Sequence, residues 1–140
     1  MVRARAAAET GGMNSPYRSQ IFIVDDSAAI RVRLAELLAP IDGLSIVGEA
    51  ANARDAVAGI LRTRPNCVLL DLRLAGCNGL DVLRSVRPRA PEVAFVVLTN
   101  LAEPQYRRAC SDAGAAYFLD KSCDFARVPQ VLAEIASRVH

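Results

Sequence analysis

Apolar residues recur along this chain in two alternating rhythms. Unbroken runs, "IFIV" at 21–24, "NCVLL" at 66–70 and "VAFVVL" at 93–98, read as strands buried on both faces. "LSIVGEA" at 44–50 and "AYFL" at 116–119 complete a set of five. Between the runs the spacing becomes helical. Ile30, Leu34, Leu37 and Leu38 mark a first helix, with Ser27 as its N-cap and Pro40 and Gly43 to end it. Ala53, Ala56, Val57, Ile60 and Leu61 mark a second, capped by Asn52. Leu80, Leu83 and Val86 mark a short third helix after a glycine-containing loop. Tyr106, Ala109 and Cys110 mark a fourth that starts at Pro104. Phe125, Val128, Leu132, Ile135 and Val139 mark the last, where Pro129 is tolerated only near the first turn. Five strand–helix units predict an α/β fold: a doubly wound, five-stranded parallel sheet in order 2-1-3-4-5 with helices on both faces.

Residues 1–18, with Gly11-Gly12, Ser15 and Pro16, lack either rhythm and read as a flexible N-terminal arm, leaving 19–140 as one domain. The formal charge of +2 resides in that arm, since residues 19–140 carry equal numbers of acids and bases. A nucleic-acid-binding domain would show a basic stripe, so none is expected here. No apolar run approaches the roughly 18 residues of a membrane span. The three alanines after Arg5 are too short for a secretory core, so a cytoplasmic protein is expected. Cys67, Cys77, Cys110 and Cys123 have no metal-ligand spacing, and the single histidine, His140, is the last residue. They read as reduced thiols.

The chemistry gathers at strand ends. In a doubly wound sheet ligands bind outside the carboxyl ends of the strands. Strand one ends in Asp25 and Asp26, strand three in Asp71, strand four in Thr99, and strand five runs into Lys121. Carboxylates crowded into one pocket repel unless a cation lies among them. Mg²⁺, a hard ion that takes oxygen ligands, suits such a set. Asp26 and Asp71 would ligate directly, Asp25 partly through water, and the backbone carbonyl of Arg73 would add a further oxygen. A carboxylate so placed can also act as a phosphoryl acceptor. Lys121 is the only lysine among seventeen basic residues. That choice fits a site that needs a compact ammonium rather than a guanidinium fork.

"VDDS", "LLDLRL", "VLTN" and "FLDKS", in that order and at strand ends, resemble the receiver domain of bacterial two-component response regulators over residues 20–138. The resemblance implies that Asp71 accepts phosphate from a histidine kinase or phosphotransfer protein, and that Asp25 and Asp26 hold Mg²⁺. It implies that Thr99 and Lys121 contact the phosphoryl group, and that Phe118, with Thr99, forms the switch. It further implies a signalling domain with at most slow autodephosphorylation rather than an enzyme. Ala75 and Ser122 stand where the family usually has proline, and Asn100 where a smaller residue is common. Ser122 disfavours a cis peptide before it.

Other readings differ in what they need. A small Mg²⁺-dependent aspartyl phosphatase would carry its nucleophile on strand one and its acid pair late. A flavodoxin-like FMN binder shares the strand order, but it needs hydroxyls and glycines where this chain has "VDDSAAI". A receiver-shaped module that is never phosphorylated would not need Asp26, Asp71, Thr99 and Lys121 together. With no output domain expected after the last helix, signalling would pass to an unknown downstream protein as a single-domain regulator or phosphorelay intermediate. A homodimer through helix four, strand five and helix five is a further expectation.

Overall fold

A computed structural model describes residues 19–139. The arm expected over 1–18, His140 and the Val139 side chain lie outside the described residues. Five strands, β1 (Ser19–Val24), β2 (Leu44–Ala50), β3 (Cys67–Leu70), β4 (Ala94–Thr99) and β5 (Tyr117–Asp120), form one sheet. All four pairings are parallel and the order is 2-1-3-4-5, as predicted. The helices are α1 (Ala28–Leu38), α2 (Ala53–Thr63), α3 (Gly79–Val86), α4 (Pro104–Asp112) and α5 (Val128–Val139).

Local chemistry sets the boundaries. Ser27 Oγ accepts the Ile30 amide at the start of α1, and Asn52 Oδ1 accepts the Asp55 amide at the start of α2. Pro104 opens α4, where its missing N–H is not needed. Phe125–Arg127 form a single 3₁₀ turn, so α5 starts only at Val128 and Pro129 falls in its first turn.

Side-chain alternation along the central strands divides the core in two. Ile21, Ile23, Leu69, Val96 and Leu98 pack with Leu34 and Leu38 of α1 and with Val131, Leu132 and Ile135 of α5. Phe22, Val24, Leu70, Phe95 and Val97 pack with α2, α3 and Cys110 of α4. Burial accordingly pushes the Cys67 and Cys110 thiols above the ordinary range. All four cysteines are free.

Two features were not predicted. The β1–β2 register shifts between Ile21 and Phe22, so Ile21 faces Ile46 while Phe22 faces Gly48. The loop after β3 also makes a small antiparallel pairing, Arg73–Leu74 with Cys77–Asn78, before Asn78 caps α3.

Candidate functional site

The main chain brings the strand ends together before any side chain acts. The Asp25 amide donates to Ala50 of β2 at 3.0 Å, the Asp71 amide to Val24 of β1 at 2.9 Å, and the Lys121 amide to Thr99 of β4 at 2.9 Å. Asp25, Asp71, Thr99 and Lys121 are thereby tied strand to strand across one end of the sheet. The loop leaving Asp71 is closed tightly: the Gly79 amide donates to Leu72 at 2.6 Å. A side chain at Gly79 would collide with the Asp71 carbonyl and come within 2.9 Å of the Leu72 backbone. Only glycine lets α3 begin so close to the acid.

One carboxylate oxygen from each of Asp25, Asp26 and Asp71 lies within 4.8 Å of the others. Asp25 is 3% and Asp71 7% exposed, while Asp26 is open to solvent. Each buried acid divides its oxygens in the same way. Asp25 Oδ1 accepts the Ser27 amide at 2.9 Å and Oδ2 accepts Lys121 Nζ at 2.7 Å. Asp71 Oδ1 accepts the Arg73 amide at 3.2 Å and Oδ2 accepts the same Nζ at 2.9 Å.

Lys121 thus bridges the two buried acids from a side chain that is itself only 9% exposed. Burial alone would lower the pKa of its ammonium. The hydrogen bonds to Asp25 and Asp71, with the charge of both acids, instead hold it above the ordinary lysine value. Thr99 is fully buried, and its Oγ1 accepts the Leu101 amide at 3.2 Å. That leaves the hydroxyl proton for donation to another acceptor.

Phe118 is half-buried against the α2–α4 side of the core. The Arg107 guanidinium stands 4.6 Å from its ring centroid and donates to its carbonyl at 3.3 Å. The Arg73 side chain is exposed, and its amide is the group that contacts Asp71. No cis peptide occurs among the described residues.

Sequence reasoning missed one member of this end of the sheet. Arg31 of α1 donates through Nη1 to the Asp25 carbonyl at 2.6 Å and through Nε to Glu49 of β2 at 3.1 Å. No local signal marked it: Arg31 is one polar residue a turn into α1, and its partners lie on other elements.

These donors suit a divalent cation by chemistry: three hard oxygens, two of them on buried acids whose one cationic side-chain partner among the described residues is Lys121. The same carboxylates offer an oxygen nucleophile within reach of an ammonium and near a hydroxyl donor.

Comparison with known proteins shows where this arrangement recurs. The sequence profile of the response regulator receiver domain matches residues 21–133. Response regulator GacA of Pseudomonas syringae pv. syringae is 28% identical over 113 residues, covering 81% of this chain and 53% of that protein. Protein-glutamate methylesterase/protein-glutamine glutaminase 1 of Carboxydothermus hydrogenoformans is 35% identical over 119 residues, 84% of this chain and 35% of that protein. The chain therefore spans about half or less of the length of these curated relatives. Among solved structures, a LuxR-family two-component response regulator from Aurantimonas sp. SI85-9A1 superposes with a TM-score of 0.81 at 28% identity, over 86% of each chain. The response regulator domain of Thermotoga maritima CheB shares the fold, with a TM-score of 0.75 at 23% identity over 86% of this chain and 95% of that one.

Proposed function

The chain belongs to the response regulator receiver domain family, and from that premise we propose that it is a phospho-acceptor switch whose acceptor is Asp71. A histidine kinase or phosphotransfer protein presents a phosphohistidine. A carboxylate oxygen of Asp71 attacks phosphorus, the bond from phosphorus to the imidazole nitrogen breaks, and an acyl phosphate forms. The observation that carries this reading is the Lys121 ammonium bridging Asp25 and Asp71. Its charge lies 2.9 Å from Asp71 Oδ2, within reach of a phosphoryl oxygen placed on that acid. The Thr99 hydroxyl, oriented by the Leu101 amide, donates to a second oxygen.

Asp25, Asp26 and Asp71 would hold Mg²⁺, with the Arg73 carbonyl as a further ligand. When bound, the ion supplies neutralisation of the charge that the acids and the phosphoryl group bring together. As Thr99 turns to the phosphoryl group, Phe118 moves inward and alters the face made by α4, β5 and α5. This is a shift between populated states. That face serves a downstream protein or a second copy of the chain. The even charge balance of residues 19–140 favours protein partners over nucleic acid. Among the described residues no helix is long and apolar enough to cross a membrane, and the reading places the chain in the cytoplasm.

The test is to mix the chain with acetyl phosphate in Mg²⁺ or in a chelator and weigh it intact. A gain of one phosphate with Mg²⁺ and none with chelator is expected. No gain in Mg²⁺ would identify instead a receiver-shaped binding module that is not phosphorylated.

A further inference from the structure

Arg31 has no part in the phosphoryl chemistry above, yet it makes the shortest side-chain contact to the main chain at the acid cluster. Its Nη1 lies 2.6 Å from the Asp25 carbonyl, and its Nε lies 3.1 Å from Glu49 Oε1. The Asp25 carbonyl belongs to the peptide plane that leads into Asp26, and that plane is rigid. Holding its oxygen fixes the orientation of the whole unit, and so the direction from which the Asp26 side chain departs. Asp25 is otherwise fixed by the Ala50 carbonyl, the Ser27 amide and Lys121. Asp26, exposed and at the turn into α1, has no such frame among the described residues, so the peptide before it is the available handle.

The guanidinium suits this task by shape. Its fork serves two acceptors on different elements at once, the end of β1 and an edge strand, from a side chain rooted in α1. Glu49 also bears on charge. An unpaired guanidinium beside a cation site would repel the cation, and the partly exposed Glu49 carboxylate offsets that charge. The short contact is explained if the residue serves to orient the acids.

We propose that Arg31 is a positioning residue of the acid cluster, which orients the Asp25–Asp26 peptide so that Asp26 is presented to a divalent cation. The inference rests on the reading that Asp25, Asp26 and Asp71 hold Mg²⁺. Groups that orient a metal's ligands typically change affinity by about 10- to 100-fold when removed. Arg31→Met keeps the aliphatic stem and the helix-forming character, and should weaken Mg²⁺ binding by at least about tenfold. Arg31→Lys can reach one acceptor but not both, and should fall between the two.

The experiment is calorimetric Mg²⁺ titration of wild type, Arg31→Met and Arg31→Lys, with thermal melts of each. It is paired with the Mg²⁺ dependence of phosphorylation by acetyl phosphate. A positioning role raises the Mg²⁺ concentration for half-maximal rate and leaves the rate at saturating Mg²⁺ nearly unchanged. A merely structural role lowers the melting temperature and the saturated rate while leaving the half-maximal concentration in place, and that result overturns the proposal. Equal Mg²⁺ affinity in all three chains also overturns it. Absence of Mg²⁺ binding by wild type sinks the underlying metal reading, and is distinguishable for that reason. Should Arg31→Met not fold, Arg31→Lys decides the matter by the same criteria.

Discussion

Removing the Lys121 ammonium would leave Asp25 and Asp71 buried side by side with no cation between them. Breaking a buried ion pair costs about 3–5 kcal/mol, because the surviving charges stay desolvated. Lys121→Met should therefore destabilise the metal-free chain by about 3 kcal/mol. Added Mg²⁺ should recover more stability in the variant than in wild type, since it replaces the missing charge. Equal recovery in thermal melts would count against this. The raised pKa of Lys121 also fixes a sign. The pair's contribution is fully present below the ordinary lysine value of about 10.4 and is lost as pH rises through the higher folded value. Arg73 and Leu101 bear on phosphate lifetime. The exposed Arg73 offers donors but no acceptor to orient an attacking water, and Leu101, packed against the core, offers neither. In Arg73→Asn/Leu101→Glu phosphate should be lost roughly tenfold faster, equivalent to about 1.4 kcal/mol of barrier. A slower or unchanged loss would contradict the reading that these two side chains leave the attacking water unheld.

Two contacts between elements decide how the layers behave. Phe22 of β1 lies where β2 and α2 offer only glycine: a side chain at Gly59 would come within 2.6 Å of its ring, and one at Gly48 would overlap it. Alanine in a helix gains up to about 1 kcal/mol over glycine, whereas overpacking a core costs about 1–3 kcal/mol. Collision should win, so Gly59→Ala is expected to lower stability by about 1 kcal/mol. Adding Phe22→Leu should relieve part of that clash, visible as coupling in a double-mutant cycle of denaturation. Additive losses would mean the ring is not what Gly59 makes room for. At the other end of the sheet, Arg107 of α4 brackets Phe118 of β5. A partly exposed cation–π contact is worth about 0.5–1 kcal/mol. Arg107→Ala should then move the switch equilibrium roughly two- to fivefold toward the inward ring. In NMR spectra, α4 and β5 amides of the unphosphorylated variant should shift along the line toward their phosphorylated positions. Shifts in another direction would contradict a role for Arg107 in holding Phe118 outward.

Across the whole molecule, topology was legible because it is written in periods. Unbroken apolar runs require a sheet covered on both faces, and Ser27, Asn52 and Pro104 mark helix starts by local chemistry. Asp25, Asp71, Thr99 and Lys121 could be foreseen together because each follows or ends a strand, so the sheet order alone makes them neighbours. What stayed hidden depends on contacts that no period encodes. The shift sets Gly48 opposite Phe22, whose ring fills the space a side chain there would need. The small pairing of Arg73–Leu74 with Cys77–Asn78 involves two residues on each side, too few to leave a pattern. Arg31 reaches across three elements, which no local pattern announces. The central claim is that Asp71 is the acceptor. The direct measurement is intact mass after acetyl phosphate and Mg²⁺, for wild type beside Asp71→Asn, with the fold of each checked by circular dichroism. The account predicts one added phosphate on wild type and none on Asp71→Asn. A phosphate retained by Asp71→Asn would place the acceptor elsewhere and contradict it.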